Sequence, residues 1–446
     1  MKTTNKQTDQ TINKSHLRLS WVAFLLALIL PGCGPHKSAE TQNKIVVWHW
    51  MSDRQNAFDE LAKRYKQEKG IDVVFELYAP SDAYAQKVRA GAQSNTLPEV
   101  YGILAESRDF ASFIKSGHVA NLNDQMNADN AKWKNSFYPK ALANNTFSTQ
   151  NAFGVVPGIY GVPLDVMNIQ MLYNKKLFAK AGLNPEKPPL TWKDFLVAAK
   201  ALNKANIPVF VSGWGELWMI DCFASSYALH FMGEQKFLDT FRGKVSYTDP
   251  DWVKVLEIFN DFRKEKILIN GGVSMVNKTS EQTFANERAA ITLNGSWCVN
   301  VYAGMNPKLE YGTMLPPKVN PKDEIKIWGG AGSSFVINQR STNKDKAIAF
   351  MQWMSDKDQQ VYLSETTKNL PANRYASSNI PPIMASFSTA MDFTTHPSQW
   401  DVRENPVVAE AFTKGIQSIL IGEKTPEQVA EEVQKLKDQN LAASAK

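Results

Sequence analysis

The chain has 446 residues, 43% of them hydrophobic and 11% aromatic, and a formal net charge of +6 at pH 7. With residues 1–32 set aside, 46 Lys and Arg stand against 43 Asp and Glu, a balance of +3 that is too weak to argue for a nucleic-acid or anionic-membrane partner. No Lys/Arg block with interleaved aromatics supplies one either, and the 414 residues that remain exceed the roughly 250–300 at which one core stops growing, so two domains are expected.

The reason for setting residues 1–32 aside lies in their pattern. Lys2, Lys6, Lys14 and Arg18 face one acid, Asp9, and the apolar run Trp21–Leu30 follows. That run is about half the ~20 residues a membrane-crossing helix needs, so a basic flank, a short apolar core and a small-residue cut site read as a secretory signal. Leu30-Pro31-Gly32-Cys33 resembles the bacterial lipobox, in which cleavage exposes a cysteine whose thiol carries diacylglycerol. Cys33 is therefore the expected lipidation site, attaching the protein to a lipid membrane, and residues 33–43 are a polar tether. The other two cysteines, Cys222 and Cys298, are either a disulfide or two buried thiols; spacing alone leaves both open.

Strand and helix alternate along the rest of the chain. Ile45-Val46-Val47-Trp48 is a short buried strand; Phe58, Leu61, Ala62 and Tyr65 recur at helical spacing until Gly70, and Val73 to Leu77 is the next strand. A helix over about 82–92 and a strand around Val100 to Ile103 follow, a grammar that implies mainly parallel sheets covered by helices. Thr191 and Asp194 have capping-box spacing ahead of the apolar face Trp192, Phe195, Ala199 and Leu202. Ile207 to Val211 is a strand, and Asp249-Pro250 is an N-cap with proline at the first helical position, before the stripe Trp252, Val255, Leu256 and Phe259. Ala289 to Leu293 is a strand; 343–354 and 425–436 are helices.

An ordered series of motifs adds a family. Tyr160-Gly161-Val162-Pro163-Leu164-Asp165, Leu172-Tyr173-Asn174-Lys175-Lys176-Leu177-Phe178, Ala181-Gly182-Leu183, Thr191-Trp192-Lys193-Asp194-Phe195 and the passage Phe284 to Trp297 resemble the extracellular solute-binding proteins of ABC sugar importers, the maltose-binding-protein-like group. Glu287 stands where that group commonly has glycine, and Trp328-Gly329-Gly330 also fits. The resemblance implies an α/β, two-lobed periplasmic-binding-protein fold, each lobe a mainly parallel sheet flanked by helices, joined by crossover segments near Tyr160–Leu164, Leu315–Pro317 and residues 355–365. One lobe is then expected to hold 44–161 and 315–360, the other 162–314 and 361–446.

A sugar offers apolar C–H faces inside a rim of hydroxyls, so a site needs aromatic faces beside planar polar side chains on loops. The loop after the first strand offers Trp50, Ser52 and Asp53; Trp50 also suits core packing, and the two polar residues also suit helix capping. Glu106 and Arg108 follow the third strand, either toward a ligand or as a solvated surface pair. In Ser212-Gly213-Trp214-Gly215-Glu216-Leu217-Trp218, the flanking glycines suggest an exposed turn that presents Trp214, with Glu216 beside it and Trp218 either in the cleft or in the core. Trp297, after Asn294-Gly295-Ser296, matches a loop whose aromatic stacks on sugar in the resembling proteins. Trp328 and Gly329 would bring backbone close to a ligand, Asp165 sits at a crossover, and Trp400 and Arg403 lie on a polar loop. The histidines downstream of Cys33 are scattered without metal-ligand spacing, and no G-x-S-x-G, P-loop or G-x-G-x-x-G occurs, so no cofactor and no catalytic set is expected. The expected function is a monomeric substrate-binding lipoprotein that closes on a sugar and delivers it to an ABC permease. A surface-anchored glycan hydrolase, or the same fold around a polyamine, organic anion or peptide, are the competing readings.

Overall fold

The computed structural model describes residues 43–103, 107–149, 151, 153–376, 381–397 and 400–444. Its strands, in chain order, are β1 (Lys44–His49), β2 (Asp72–Leu77), β3 (Val100–Gly102), β4 (Thr146–Phe147), β5 (Gly158–Ile159), β6 (Val162–Pro163), β7 (Asp165–Asn174), β8 (Phe210–Val211), β9 (Ile291–Gly295), β10 (Tyr311–Met314), β11 (Ile327–Ala331), β12 (Ser334–Ile337), β13 (Leu370–Pro371) and β14 (Thr394–Thr395). They form a sheet in the order β2-β1-β3-β12-β6, a second in the order β14-β11-β7-β9-β8 with β10 and β13 also on β7, and the small pair β4-β5.

Local rules build most of the flanking helices. Gln55–Lys69 buries Ala57, Phe58, Leu61 and Tyr65 and stops at Gly70, whose φ of 69° lets its N–H reach Lys66 O. Trp192–Lys204 starts where Thr191 Oγ1 accepts from the Asp194 amide at 3.1 Å. Pro250–Lys264 starts where the Asp249 carboxylate accepts from the Asp251 amide at 2.9 Å, with proline where no donor is needed. Helices cover the sheets and close three hydrophobic clusters, the smallest of them around Trp48, Tyr84, Tyr101 and Phe147. Around the first sheet lie Ile45, Val47, Phe58, Phe75, Phe335 and Phe350; around the second lie Phe195, Phe210, Trp214, Phe223, Phe259 and Phe262.

Two lobes result, and their sheets are mixed rather than mainly parallel. β1 runs parallel to β2 and β3, but β12 is antiparallel to β3 and β6. In the second sheet β7 is the spine, antiparallel to β9, β10, β11 and β13. The cause is the route of the chain. It leaves the inter-sheet crossing along β7 and comes back to that crossing along β11, so the two must run in opposite directions. The passages between sheets fall at Leu164, between β6 and β7, and at Gly332–Ser333, between β11 and β12. The second lies beyond the expected Leu315–Pro317, because Ile327–Ala331 pairs with β7 in the second sheet. A third passage follows helix Lys357–Thr367, where β13 joins β7. Cys222 and Cys298 are both buried and free, which settles their question in favour of thiols. Glu287 has a φ of 56°, in the left-handed region that favours glycine. No helix among the described residues is long and apolar enough to cross a membrane.

Candidate functional site

The loop after β1 is a single 3-10 turn, Ser52–Arg54, without side-chain capping at its start. Trp50 is half-buried there, its ring 5.2 Å from that of Tyr84 and lying over Gly102, where a Cβ would come within 2.4 Å of it. Ser52 is exposed and Asp53 half-buried. Asn300 Nδ2, from the helix that follows Trp297, donates to the Asp53 backbone carbonyl at 3.2 Å and lies 3.4 Å from Oδ2. The loop at the end of β1 thus meets the helix beyond the end of β9.

Three residues before Asn300 stands Trp297, paired with Trp218. Their rings are 6.2 Å apart and inclined at 51°; Trp218 is 39% exposed, Trp297 half-buried. Trp297 folds back over its own chain, so that a Cβ on Gly295 would sit within 1.9 Å of its ring. Neither indole N–H is free. Trp218 Nε1 donates to Glu216 Oε2 at 2.9 Å, and Trp297 Nε1 donates to Glu281 Oε1 at 3.2 Å. Glu281 is 3% exposed; burial raises its carboxyl pKa, against donors from Asn294 and Trp297, while the Asp53 charge adds to the rise.

Two expected ligand residues are elsewhere. Trp214 has no exposed surface; its ring lies 5.1–5.8 Å from those of Phe210, Phe223, Phe259 and Phe262. The glycines beside it serve close packing and not an exposed turn: a Cβ at Gly213 would reach Asn277 Cα at 2.6 Å, and one at Gly215 would reach Ser274 O at 2.5 Å. Gly329 is likewise a packing glycine, since its Cβ would meet Thr394 Cγ2 at 2.4 Å and Asn168 Cβ at 2.7 Å in the strands on either side. Trp328, half-buried, donates from Nε1 to Ser225 Oγ at 2.6 Å and stands 5.8 Å from the His396 ring. Trp400 is 7% exposed against Phe237, with Arg403 over its ring. Glu106 and Cys33 lie outside the described residues, as does the side chain of Arg108.

Asp165 belongs to the crossing between sheets. Its Oδ2 accepts from Arg54 Nη2 at 2.5 Å and its Oδ1 from the Ser333 amide at 2.5 Å, so the loop after β1, the start of β7 and the passage into β12 converge on one carboxylate. Arg54 and Asp165 are 4% and 3% exposed. Burial opposes both charges and raises the Asp165 pKa; for Arg54 the pull of Asp165 and Asp53 outweighs burial, and the guanidinium stays charged. Gly332 is required beside them, since a Cβ there would fall 2.2 Å from Asp165 Oδ1. Arg54, Glu281, Asn277 and Asn300 were not among the sequence candidates. Only Glu281 had a signal, an acid three residues before Phe284 on the buried face of its helix.

A family model described as bacterial extracellular solute-binding protein matches residues 50–361. The chain belongs to this family. Among curated relatives, the melibiose/raffinose/stachyose-binding protein MelE of Bacillus subtilis (strain 168) is 23% identical over 383 residues, covering 80% of this chain and 81% of the relative. The sn-glycerol-3-phosphate-binding periplasmic protein UgpB of Escherichia coli (strain K12) is 23% identical over 372 residues, covering 80% of each. Among solved structures, a chitin oligosaccharide binding protein superposes with a TM-score of 0.73 at 21% identity, covering 89% of this chain and 98% of that one. For this solute-binding protein, the fold and the family agree with a contact at Asp53 and Asn300 that links the two lobes.

Proposed function

We propose that this solute-binding protein captures a mono- or oligosaccharide between its lobes and hands it to the permease of an ABC importer, acting as a monomer and without catalysis. The observation that carries the reading is the Trp218–Trp297 pair, two inclined indoles beside the segment whose Asn300 reaches the Asp53 loop at the end of β1. Indole faces cover the C–H patches of a pyranose, while Asp53, Ser52 and Asn300 bind its hydroxyls. Glu106, Asp165 and Trp328 remain proposed contributors, Asp165 through the crossing and not through direct contact. Lobe borders at the passages around Leu164, Gly332 and Asn369 would let the sheets rotate about the Arg54–Asp165 pair. Micromolar capture requires roughly 8 kcal/mol, within reach of two aromatic contacts and several hydrogen bonds. The names of MelE and of the chitin oligosaccharide binding protein support a carbohydrate, that of UgpB supports a glycerol phosphate instead, and the sequence supports an anchor through acylated Cys33 on the exported side of a membrane.

A thermal-shift panel of raffinose, stachyose, chitotetraose and sn-glycerol-3-phosphate tests the ligand class, because a ligand bound to the native state raises its stability by mass action. A rise with one or more saccharides is expected; a rise with glycerol phosphate alone would overturn the sugar assignment. Small-angle scattering with the stabilising saccharide should show compaction, and an unchanged radius would rule out lobe closure.

A further inference from the structure

Helix Asn277–Ala285 touches both tryptophans through carboxylates. Glu281, on this helix, accepts through Oε1 from Trp297 Nε1, Asn294 Nδ2 and Asn277 Nδ2, each at 3.2 Å. Glu216 divides its two oxygens: Oε2 accepts from Trp218 Nε1 at 2.9 Å, and Oε1 accepts from the Asn277 amide at 2.7 Å. That amide is the first of the helix, whose N-cap Val276 offers no side-chain acceptor, so Glu216 also supplies the missing cap. Lys278 Nζ lies 3.7 Å from Glu281 Oε2, an exposed cation at the rim of a buried acid.

We propose that helix Asn277–Ala285 is the mount of the aromatic platform, with Glu281 and Glu216 as positioning residues that fix the two indoles and take up their N–H groups, so that the platform reads the C–H face of a sugar ring and offers it no hydrogen bond. The inference rests on the carbohydrate reading and deepens it. An indole has one donor. Where a protein carboxylate holds that donor, the ring cannot rotate to meet a ligand hydroxyl without breaking a charge-assisted bond. Trp328 is held in the same sense by Ser225. Discrimination at these three rings is therefore by shape and apolar area. Ligands without a ring face, such as glycerol phosphate, gain nothing from them, and hydroxyl recognition passes to the polar loop around Asp53 and Asn300. Glu281, 3% exposed at the N–H edge of the Trp297 ring, also keeps its charge away from solvent.

Glu281→Gln and Glu281→Ala separate positioning from bulk stability. Glutamine keeps an oxygen that can accept all three donors and loses only the charge facing Lys278; alanine removes the acceptor. In 15N-labelled protein without ligand, the Trp297 indole N–H resonance, assigned with Trp297→Phe, should shift and exchange faster with solvent in Glu281→Ala, stay close to parental in Glu281→Gln, and leave the Trp218 resonance in place. An unmoved Trp297 resonance in Glu281→Ala overturns the mount, whatever the ligand is. With raffinose as probe, Glu281→Ala should raise Kd about tenfold in the parental background and have little further effect in Trp297→Phe, where the N–H is absent, because groups acting through one another are not additive. An equal rise in both backgrounds means that Glu281 does not act through the indole. A parent protein that binds none of raffinose, stachyose and chitotetraose ends the carbohydrate reading, and the proposed role in ring recognition with it, while the ligand-free resonances still decide whether the acids hold the rings.

Discussion

Truncation of Trp214 to alanine should damage stability and spare binding. The ring is fully buried among Phe210, Phe223, Phe259 and Phe262 at 5.1–5.8 Å, and the chain on either side is pinned by Gly213 and Gly215 against Ser274 and Asn277. Aromatic neighbours on short tethers cannot collapse into the space, which places the loss in the range of about 3–5 kcal/mol for a buried tryptophan. One term works in the other direction: Trp214 Nε1 has no hydrogen-bond partner among the described residues, so truncation also removes a buried unsatisfied donor. The lower end, about 3 kcal/mol, is the expected value. The bond from Gln417 Nε2 to Trp214 O at 2.8 Å survives, since it involves backbone only. Urea unfolding of parent and variant gives the stability change, and titration at a urea-free, fully folded temperature gives the affinity. A stability loss under about 1 kcal/mol together with a tenfold weaker Kd would refute the reasoning and return Trp214 to the cleft.

Asp165→Ala leaves the Arg54 guanidinium buried without its carboxylate and should cost about 3–5 kcal/mol of stability, much of it recovered in Arg54→Met/Asp165→Leu; a single variant as stable as the parent would contradict the pair. Acid should destabilise the fold through two histidines. Burial lowers His49 to about 4 and His396 to about 3, so the unfolded chain binds protons below about 6.5 that the folded chain refuses. Their contribution is intact above pH 6.5 and is lost on acidification at up to about 1.4 kcal/mol per pH unit for each histidine, measurable as a falling urea midpoint between pH 7 and pH 5. A flat midpoint in parent protein, or no flattening in His49→Gln/His396→Phe, would contradict the assignment. Mass spectrometry of protein from its native membrane should find Cys33 acylated at the mature N-terminus; a soluble product cut elsewhere would remove the anchor.

Much of the fold was legible because its signals are local. Gly70, Thr191 with Asp194, and Asp249-Pro250 act within one turn of chain, and each marks a helix end in the structure. The spine strand β7 gave no such signal. It is buried on both faces over nearly all of Asp165–Asn174, so it lacks the period of two, and it carries Asn168, Gln170 and Asn174 inside. Asn168 Nδ2 donates to Phe387 O at 2.7 Å and Gln170 Nε2 to Asn168 Oδ1 at 2.8 Å, while Asn174 Oδ1 accepts from the Leu177 amide at 2.9 Å and its Nδ2 has no partner among the described residues.

The candidate site was legible as a set of loops and not as a set of contacts. Trp218 and Trp297 lie together, but nothing in Gly-Trp-Gly distinguishes a turn that exposes its tryptophan from one whose glycines admit a neighbouring backbone; only the approach of Ser274 and Asn277 decides it. The Arg54–Asp165 pair spans 111 residues, and Glu281 gains its meaning from Trp297 across a helix and a strand. Tertiary contact made those roles, and no spacing rule reports it.

The most direct test of the account is calorimetric titration of the mature protein with raffinose, stachyose and chitotetraose, alongside Trp218→Ala, Trp297→Ala and Trp214→Ala. The account predicts micromolar binding of at least one saccharide by the parent, a loss of about 1–3 kcal/mol for each of Trp218→Ala and Trp297→Ala, and parental affinity in folded Trp214→Ala. Unchanged binding in both Trp218→Ala and Trp297→Ala would contradict it.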